Sequence, residues 1–218
     1  MESKLANTNV VVTAHNINPT VFSQRWLADN NIVQPDELTG SLIITPQLVS
    51  VDADRFALLV VPDRLQLTVK TPDVDEQARL VGRVAKIATI LPHTPYNALG
   101  LNLIWLLSPE REPFDAFLRR LFWRPDDALY KAFDHEDARC GVYLSMNVLG
   151  FRLKLDAKPI HIEPVPEKPE YLHLAFNFHM DVSGGEGANS IVEAVGKWPE
   201  VHQMASDLLS RIEESDQP

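Results

Sequence analysis

The sequence predicts an α+β protein: a largely antiparallel sheet with two long amphipathic helices laid on one of its faces. Three observations carry this expectation. Apolar and polar residues alternate along many segments, most cleanly in Tyr171–Val182 (YLHLAFNFHMDV), which is the period of a half-buried strand. These segments succeed one another through short breaks containing Pro, Gly or Asp, which suits antiparallel neighbours. Two longer stretches instead repeat their apolar residues every three or four positions, the period of a helix with one buried side.

In chain order, Asn9–Ala14 (NVVVTA) reads as a strand, and Asn18-Pro19 then opens a short helix near Pro19–Asp29, with Phe22, Trp26 and Leu27 at helical spacing. Ser41–Thr45 is a strand stopped by Pro46, and Leu48–Asp52 is another. A turn at Asp52-Ala53-Asp54-Arg55 leads into a buried strand, Phe56–Val61. Past Pro62-Asp63, Leu65, Leu67 and Val69 mark a half-buried one. Asp73 caps the first long helix, with Glu76 placed to complete a capping box. Leu80, Val84, Ile87 and Leu91 form its apolar stripe, Asp75, Glu76, Arg79, Arg83 and Lys86 sit opposite, and Pro92 ends it.

The second half runs through similar elements: a strand at Gly100–Leu107 and a helix at Pro113–Trp123 bearing Phe114, Phe117, Leu118 and Leu121. Val142, Leu144, Met146 and Val148 alternate, and Phe151, Leu153 and Leu155 alternate with the opposite parity. The switch at Leu149-Gly150 predicts a bulge or a tight turn, because a slip of one residue changes the face. After Tyr171–Val182 the chain is helical from Ala188 to about Ser215, with Pro199 as an interruption or restart. Both halves thus read as strand, helix, two or three strands, long helix. The expectation is one domain spanning residues 1–218, built as two fused pseudo-repeats of about 1–97 and 98–218. The Pro-rich EPVPEKPE at Glu163–Glu170 is expected to be a stiff link, and the tail Glu213–Pro218 to fray.

The chain carries a net charge of −10, most of it in the second half: residues 1–109 are net −2 and 110–218 net −8. That disfavours nucleic acid, whose phosphates need a basic surface. No apolar run reaches the length of a membrane span, and the first residues lack a signal-peptide pattern. The lone Cys140 excludes an internal disulfide framework. A cytoplasmic protein is therefore expected.

Several places invite chemistry. The strand Tyr171–Val182 puts Leu172, Leu174, Phe176, Phe178 and Met180 on one side and Tyr171, His173, Asn177, His179 and Asp181 on the other. His173 and His179 are ~20 Å apart on one strand, too far to share an ion. A hairpin with Pro159–Glu163, in the register opposing His161 to His173 and Glu163 to Tyr171, instead assembles His161, Glu163 and His173 as a divalent-metal triad. That register is assumed, no cofactor is predicted, and the favoured reading of these histidines is a solvated or dimer-facing polar sheet face, with the metal as the alternative. His93, Tyr96 and Asn97 lie in a proline-framed turn after the long helix, where a scaffold often positions acids and bases, but no second acid or nucleophile pairs with them.

Other motifs read as structural. Gly185-x-Gly187-x-x-Ser190 nears a dinucleotide fingerprint, yet Glu186 repels phosphate and no further βαβ unit follows. Cys140 sits in no nucleophile signature. Asp134-His135-Glu136-Asp137 lacks the spacing of a calcium loop. Arg119, Arg120 and Arg124 beside Trp123 read as a solvated helix face. The leading expectation is a non-catalytic binding protein using the polar sheet face toward a protein partner or its own copy. The alternatives are a small-molecule or metal-dependent enzyme at one of the two histidine sites, and an acidic defence-associated or toxin-neutralising accessory protein that masks a basic partner.

Overall fold

The computed structural model describes residues 1–38, 40–162, 170–182 and 187–214. Glu163 and the rest of the Pro-rich link through 169, residues 183–186 of the glycine-rich segment, and the end of the tail lie outside the described residues.

Among the described residues, nine strands form a single antiparallel sheet: β1 (Glu2–Ala14), β2 (Ser41–Ile44), β3 (Val49–Asp52), β4 (Phe56–Val61), β5 (Arg64–Val69), β6 (Tyr96–Ser108), β7 (Val142–Val148), β8 (Phe151–His161) and β9 (Glu170–Asp181). Their order across the sheet is β2-β3-β4-β5-β1-β6-β9-β8-β7. The helices are α1 (Gln24–Asp29), α2 (Val74–Ile90), α3 (Phe114–Phe122), α4 (Ala128–Ala132), α5 (Gly187–Gly196) and α6 (Trp198–Glu214). α2 lies on β5 and β1, α5 and α6 on β6, and α2 and α5 touch each other.

The alternation sets the layers. Val10 and Val12 on β1, Leu65 and Leu67 on β5, Leu99, Leu101 and Leu103 on β6, and Leu174, Phe176 and Phe178 on β9 all bury on the helix side. There they meet Leu80, Val84 and Ile87 of α2 and Ile191 of α5 in one continuous core. Trp105 packs edge-on against Phe176 with ring centroids 5.4 Å apart, a favoured aromatic geometry. The intervening residues stay half-exposed on the opposite side, the open face.

Most expected elements are present, with local differences. β1 and β6 are longer than their apolar cores, because they pair with each other from Glu2↔Ser108 to Ala14↔Tyr96, and polar ends are recruited once a partner ladder exists. The expected helix at Pro19–Asp29 divides: Asn18 caps a 3-10 turn at Pro19–Val21, and Ser23 accepts from the Trp26 amide to start α1. Leu149-Gly150 is a two-residue hairpin turn between β7 and β8, both residues at positive φ (54° and 85°). Pro199 restarts a helix, as the second residue of α6. Asp73 caps α2 by accepting from the Asp75 amide at 2.8 Å, but Glu76 does not reciprocate; it turns inward to arginines. Among the described residues, no helix is long and apolar enough to cross a membrane.

Candidate functional site

Register alone builds the centre of the open face. Asn9 on β1 lies opposite Asn102 on β6, and Asn102 opposite Asn177 on β9. Strand neighbours lie ~4.8 Å apart, so the three amides form a ladder. The Asn177 Nδ2 donates to Asn102 Oδ1, Asn102 Nδ2 to Asn9 Oδ1 at 2.8 Å, and Asn9 Nδ2 to Asn7 Oδ1 at 2.8 Å. Thr68 extends the row on one side, and Lys154 and Ser145 on the other.

Beside the ladder the face is indented. Gly100 lies between Val11 and His179, and its missing side chain leaves a shallow cavity of about 310 Å³ bordered by Val11, Thr13, Asn102, Asn177 and His179. A Cβ on Gly100 would stand 3.2 Å from Asn177 Nδ2, tight enough to press on the ladder. His179 Nε2 lies 3.0 Å from Asp181 Oδ1. Further along, His173 faces Lys158 on β8 and Leu106 on β6. Burial, chiefly, and the nearby Lys158 charge hold its imidazole pKa below the usual value, against a smaller opposing effect of Asp156. Tyr171, His173, Asn177 and His179 thus share one face, spread along a strand as a surface rather than gathered at a reacting centre.

The metal triad is not assembled. β8 and β9 pair with Lys158 opposite His173 and His161 opposite Glu170, a shift of three residues from the register that would oppose His161 to His173. Three is odd, so the shift also moves His161 to the other face. There it meets Glu170 at 3.4 Å, which also lies 3.8 Å from Arg139. Glu163 lies outside the described residues, and no three potential ligands converge among the described ones.

The turn residues diverge as well. Tyr96 is buried, its hydroxyl donating to Leu91 O at 3.2 Å over the end of α2, and burial raises its pKa. Asn97 accepts from the Thr13 hydroxyl and lies 3.5 Å from His15 Nε2, while His93 is exposed. Cys140 is partly buried, and burial pushes its thiol pKa up, away from nucleophilic use. The arginines at the end of α3 do lie at the surface, Arg120 and Arg124 exposed and Arg119 half-buried, and two of them have partners there. Arg119 stacks 4.5 Å over Trp123 and donates to His135 O at 2.8 Å, tying down the acidic loop, and Arg120 pairs with Glu112 at 2.7 Å.

Sequence reading missed one concavity, a cleft of about 690 Å³ beside α2, floored by Phe56 and lined by both charges, Arg55, Arg79, Arg83 and Lys86 with Asp36, Glu37 and Asp54. Glu76 and Arg83 lie on the side of α2 that periodicity makes polar, yet only 1% and 8% of their surfaces are exposed. Glu76 Oε1 accepts from Arg55 at 3.1 Å and from Arg79. Arg83 lies 4.1 Å over the Phe56 ring, donates to Ile32 O at 3.0 Å and pairs with Glu37. The only hint in the sequence was four cations on or facing one helix side. The asparagine ladder was also missed. Its signal was the parity of Asn9 and Asn102 within their strands, opposite to that of Val10, Val12, Leu101 and Leu103.

Neither a known protein family nor a curated protein matches this chain.

Proposed function

We propose that the chain is a binding protein whose working surface is the open face of the sheet, centred on the ladder Asn9–Asn102–Asn177 and the Gly100 indentation. The observation that carries this reading is the continuity of that face: a polar row runs from Thr68 to Ser145, with the half-exposed Ile104 and Leu106 alongside it. Amides that donate and accept, next to apolar area and imidazoles, suit recognition of another polypeptide. No convergent acid, base and nucleophile among the residues described above favours catalysis. The test is a photo-crosslinking amino acid placed at Ile104 or Ala175, which leaves the ladder intact, with exposed Gln203 of α6 as control. A discrete protein adduct from the first two positions, lost on Asn102→Ala, is the expected result. Adducts from Gln203 alone, or none, would overturn the reading.

A second reading is favoured by the cleft beside α2: Arg55 and Arg79 are paired with Glu76 through one nitrogen each and remain half-exposed, so their other N–H groups suit a small ligand bearing an acidic group. On that reading citrate or phosphate raises the melting temperature of the native chain, and the rise is absent in Arg79→Ala/Lys86→Ala. No shift with any small carboxylate or phosphate would end it.

The symmetric strand order also supports an origin by duplication. Outward from the β1–β6 seam, β5, β4 and β3 match β9, β8 and β7, and α2 matches α5. Halves that fail to superpose strand for strand would refute it.

A further inference from the structure

The two outer strands of the sheet are unlike. β2 has four residues and is followed closely by Pro46, the short, proline-flanked form that blunts an edge. β7 has seven residues, Val142-Tyr143-Leu144-Ser145-Met146-Asn147-Val148, with no proline and no charge. Nothing pairs with its outer side among the described residues. Leu144 and Met146 lie opposite Leu155 and Leu153, hence on the helix side, yet they are 56% and 44% exposed, and Tyr143 is 63% exposed on the open face.

The sequence of β7 is self-complementary about Ser145. Read against a reversed copy of itself, Val142 meets Val148, Tyr143 meets Asn147, Leu144 meets Met146 and Ser145 meets Ser145. The backbone phase agrees. The two-residue turn makes Val148↔Phe151 a hydrogen-bonded pair, so Val142, Leu144, Met146 and Val148 direct their N–H and C=O groups to β8, and Tyr143, Ser145 and Asn147 direct theirs outward. Centred on Ser145, an antiparallel copy satisfies all three outward residues of each strand, with about six hydrogen bonds. β7 itself brings no charge to the seam; on the open face Arg152 of β8 donates to Asn147 at 3.2 Å and Lys154 lies opposite Ser145. Leu144 and Met146 of each copy cover one another beside Leu153 and Leu155, and the polar row from Thr68 to Ser145 continues into the second copy.

We propose that the chain forms a two-fold symmetric dimer by antiparallel pairing of β7 with β7 of a second copy, in the register Ser145↔Ser145. The contact is isologous and closes at two, unlike a β7–β2 contact, which would propagate. This inference does not rest on the open-face reading, because edge pairing leaves that face exposed in both copies.

Sedimentation from about 1 µM to about 1 mM, the span of moderate to weak affinities, tests it. The native chain is expected to reach a dimer. Leu144→Lys/Met146→Lys and Leu144→Glu/Met146→Glu are each expected to remain monomeric with native circular dichroism, since both side chains are already exposed, and to form a one-to-one heterodimer when mixed. Ser145→Pro removes an outward N–H that β8 does not use, so it is expected to be a folded monomer and carries the test if the charged variants misfold. In a Cys140→Ser background, Ser145→Cys is expected to cross-link to itself on oxidation, and Tyr143→Cys, about 13 Å from its own copy at four residues' separation, is not. A native monomer throughout, variants that still dimerise, or assembly beyond two would each overturn the proposal.

Discussion

Glu76 shows how a side chain read as the third residue of a capping box takes a different role once the chain folds. The spacing from Asp73 is right for a box, but the carboxylate is pulled beneath α2, where Arg55 and Arg79 share one of its oxygens. A buried carboxylate with cationic partners is costly to disrupt. Glu76→Ala is expected to lower stability by about 2 kcal/mol, because it removes hydrogen bonds made by a charged group and leaves an interior void; urea unfolding measures it, and a change within a few tenths would show the cluster to be incidental. Two histidines make stability depend on pH: His173 of β9 and His202 of α6, whose ring lies against Trp105 and Trp198. His173 and His202 both have pKa values held below the usual 6.5, mainly by burial, with Lys158 adding to the effect at His173. The unfolded chain therefore binds protons more readily than the folded one. The stabilisation they confer is present above about pH 6.5 and is lost as pH falls through their folded values. Unfolding midpoints at pH 7.5 and 5.5 should show this loss, and His173→Gln/His202→Gln should reduce it; an unchanged pH slope in the double variant would refute the assignment.

At the scale of elements, the β7–β8 hairpin was legible and one of its residues is poorly matched to it. Leu149 sits at φ 54°, a left-handed conformation that costs an L residue with a bulky side chain about 1 kcal/mol or more. Leu149→Asn creates Asn-Gly, the pair that two-residue hairpin turns favour, and is expected to raise stability by about 1 kcal/mol in chemical denaturation. A loss instead would mean that the Leu149 side chain, 36% exposed, contributes packing that outweighs its backbone strain. The strands were readable because period-two alternation is a local property. α2 and α6 were readable because their stripes span several turns. The His161 pairing was not readable, because a hairpin's register depends on its connection and on every side chain across from it, and Pro159–Glu163 fits more than one register equally well on alternation alone.

The whole molecule joins its two halves through the longest ladder in the sheet, β1 with β6, and through the contact of α2 with α5. Whatever their origin, the halves are expected to unfold together. Ile191, fully buried on α5, is a probe of this coupling: Ile191→Ala is expected to cost about 3 kcal/mol, with a single transition whose denaturant slope is unchanged. Two separated transitions by circular dichroism and tryptophan fluorescence would show that the halves are independent. The sequence by itself determined the α+β class, the layers and the polar side of β9, since all of these follow from the spacing of apolar residues along a single segment. Tyr171, His173, Asn177 and His179 were therefore placed on one face without a structure. Only the tertiary structure decided that Asn9 and Asn102 join Asn177, that Gly100 leaves an indentation beside them, that His161 faces away from His173, and that β7 is an outer strand. Each of these depends on which strands are neighbours and in what register, and pairing between residues up to about a hundred positions apart leaves no trace in the local pattern of either strand.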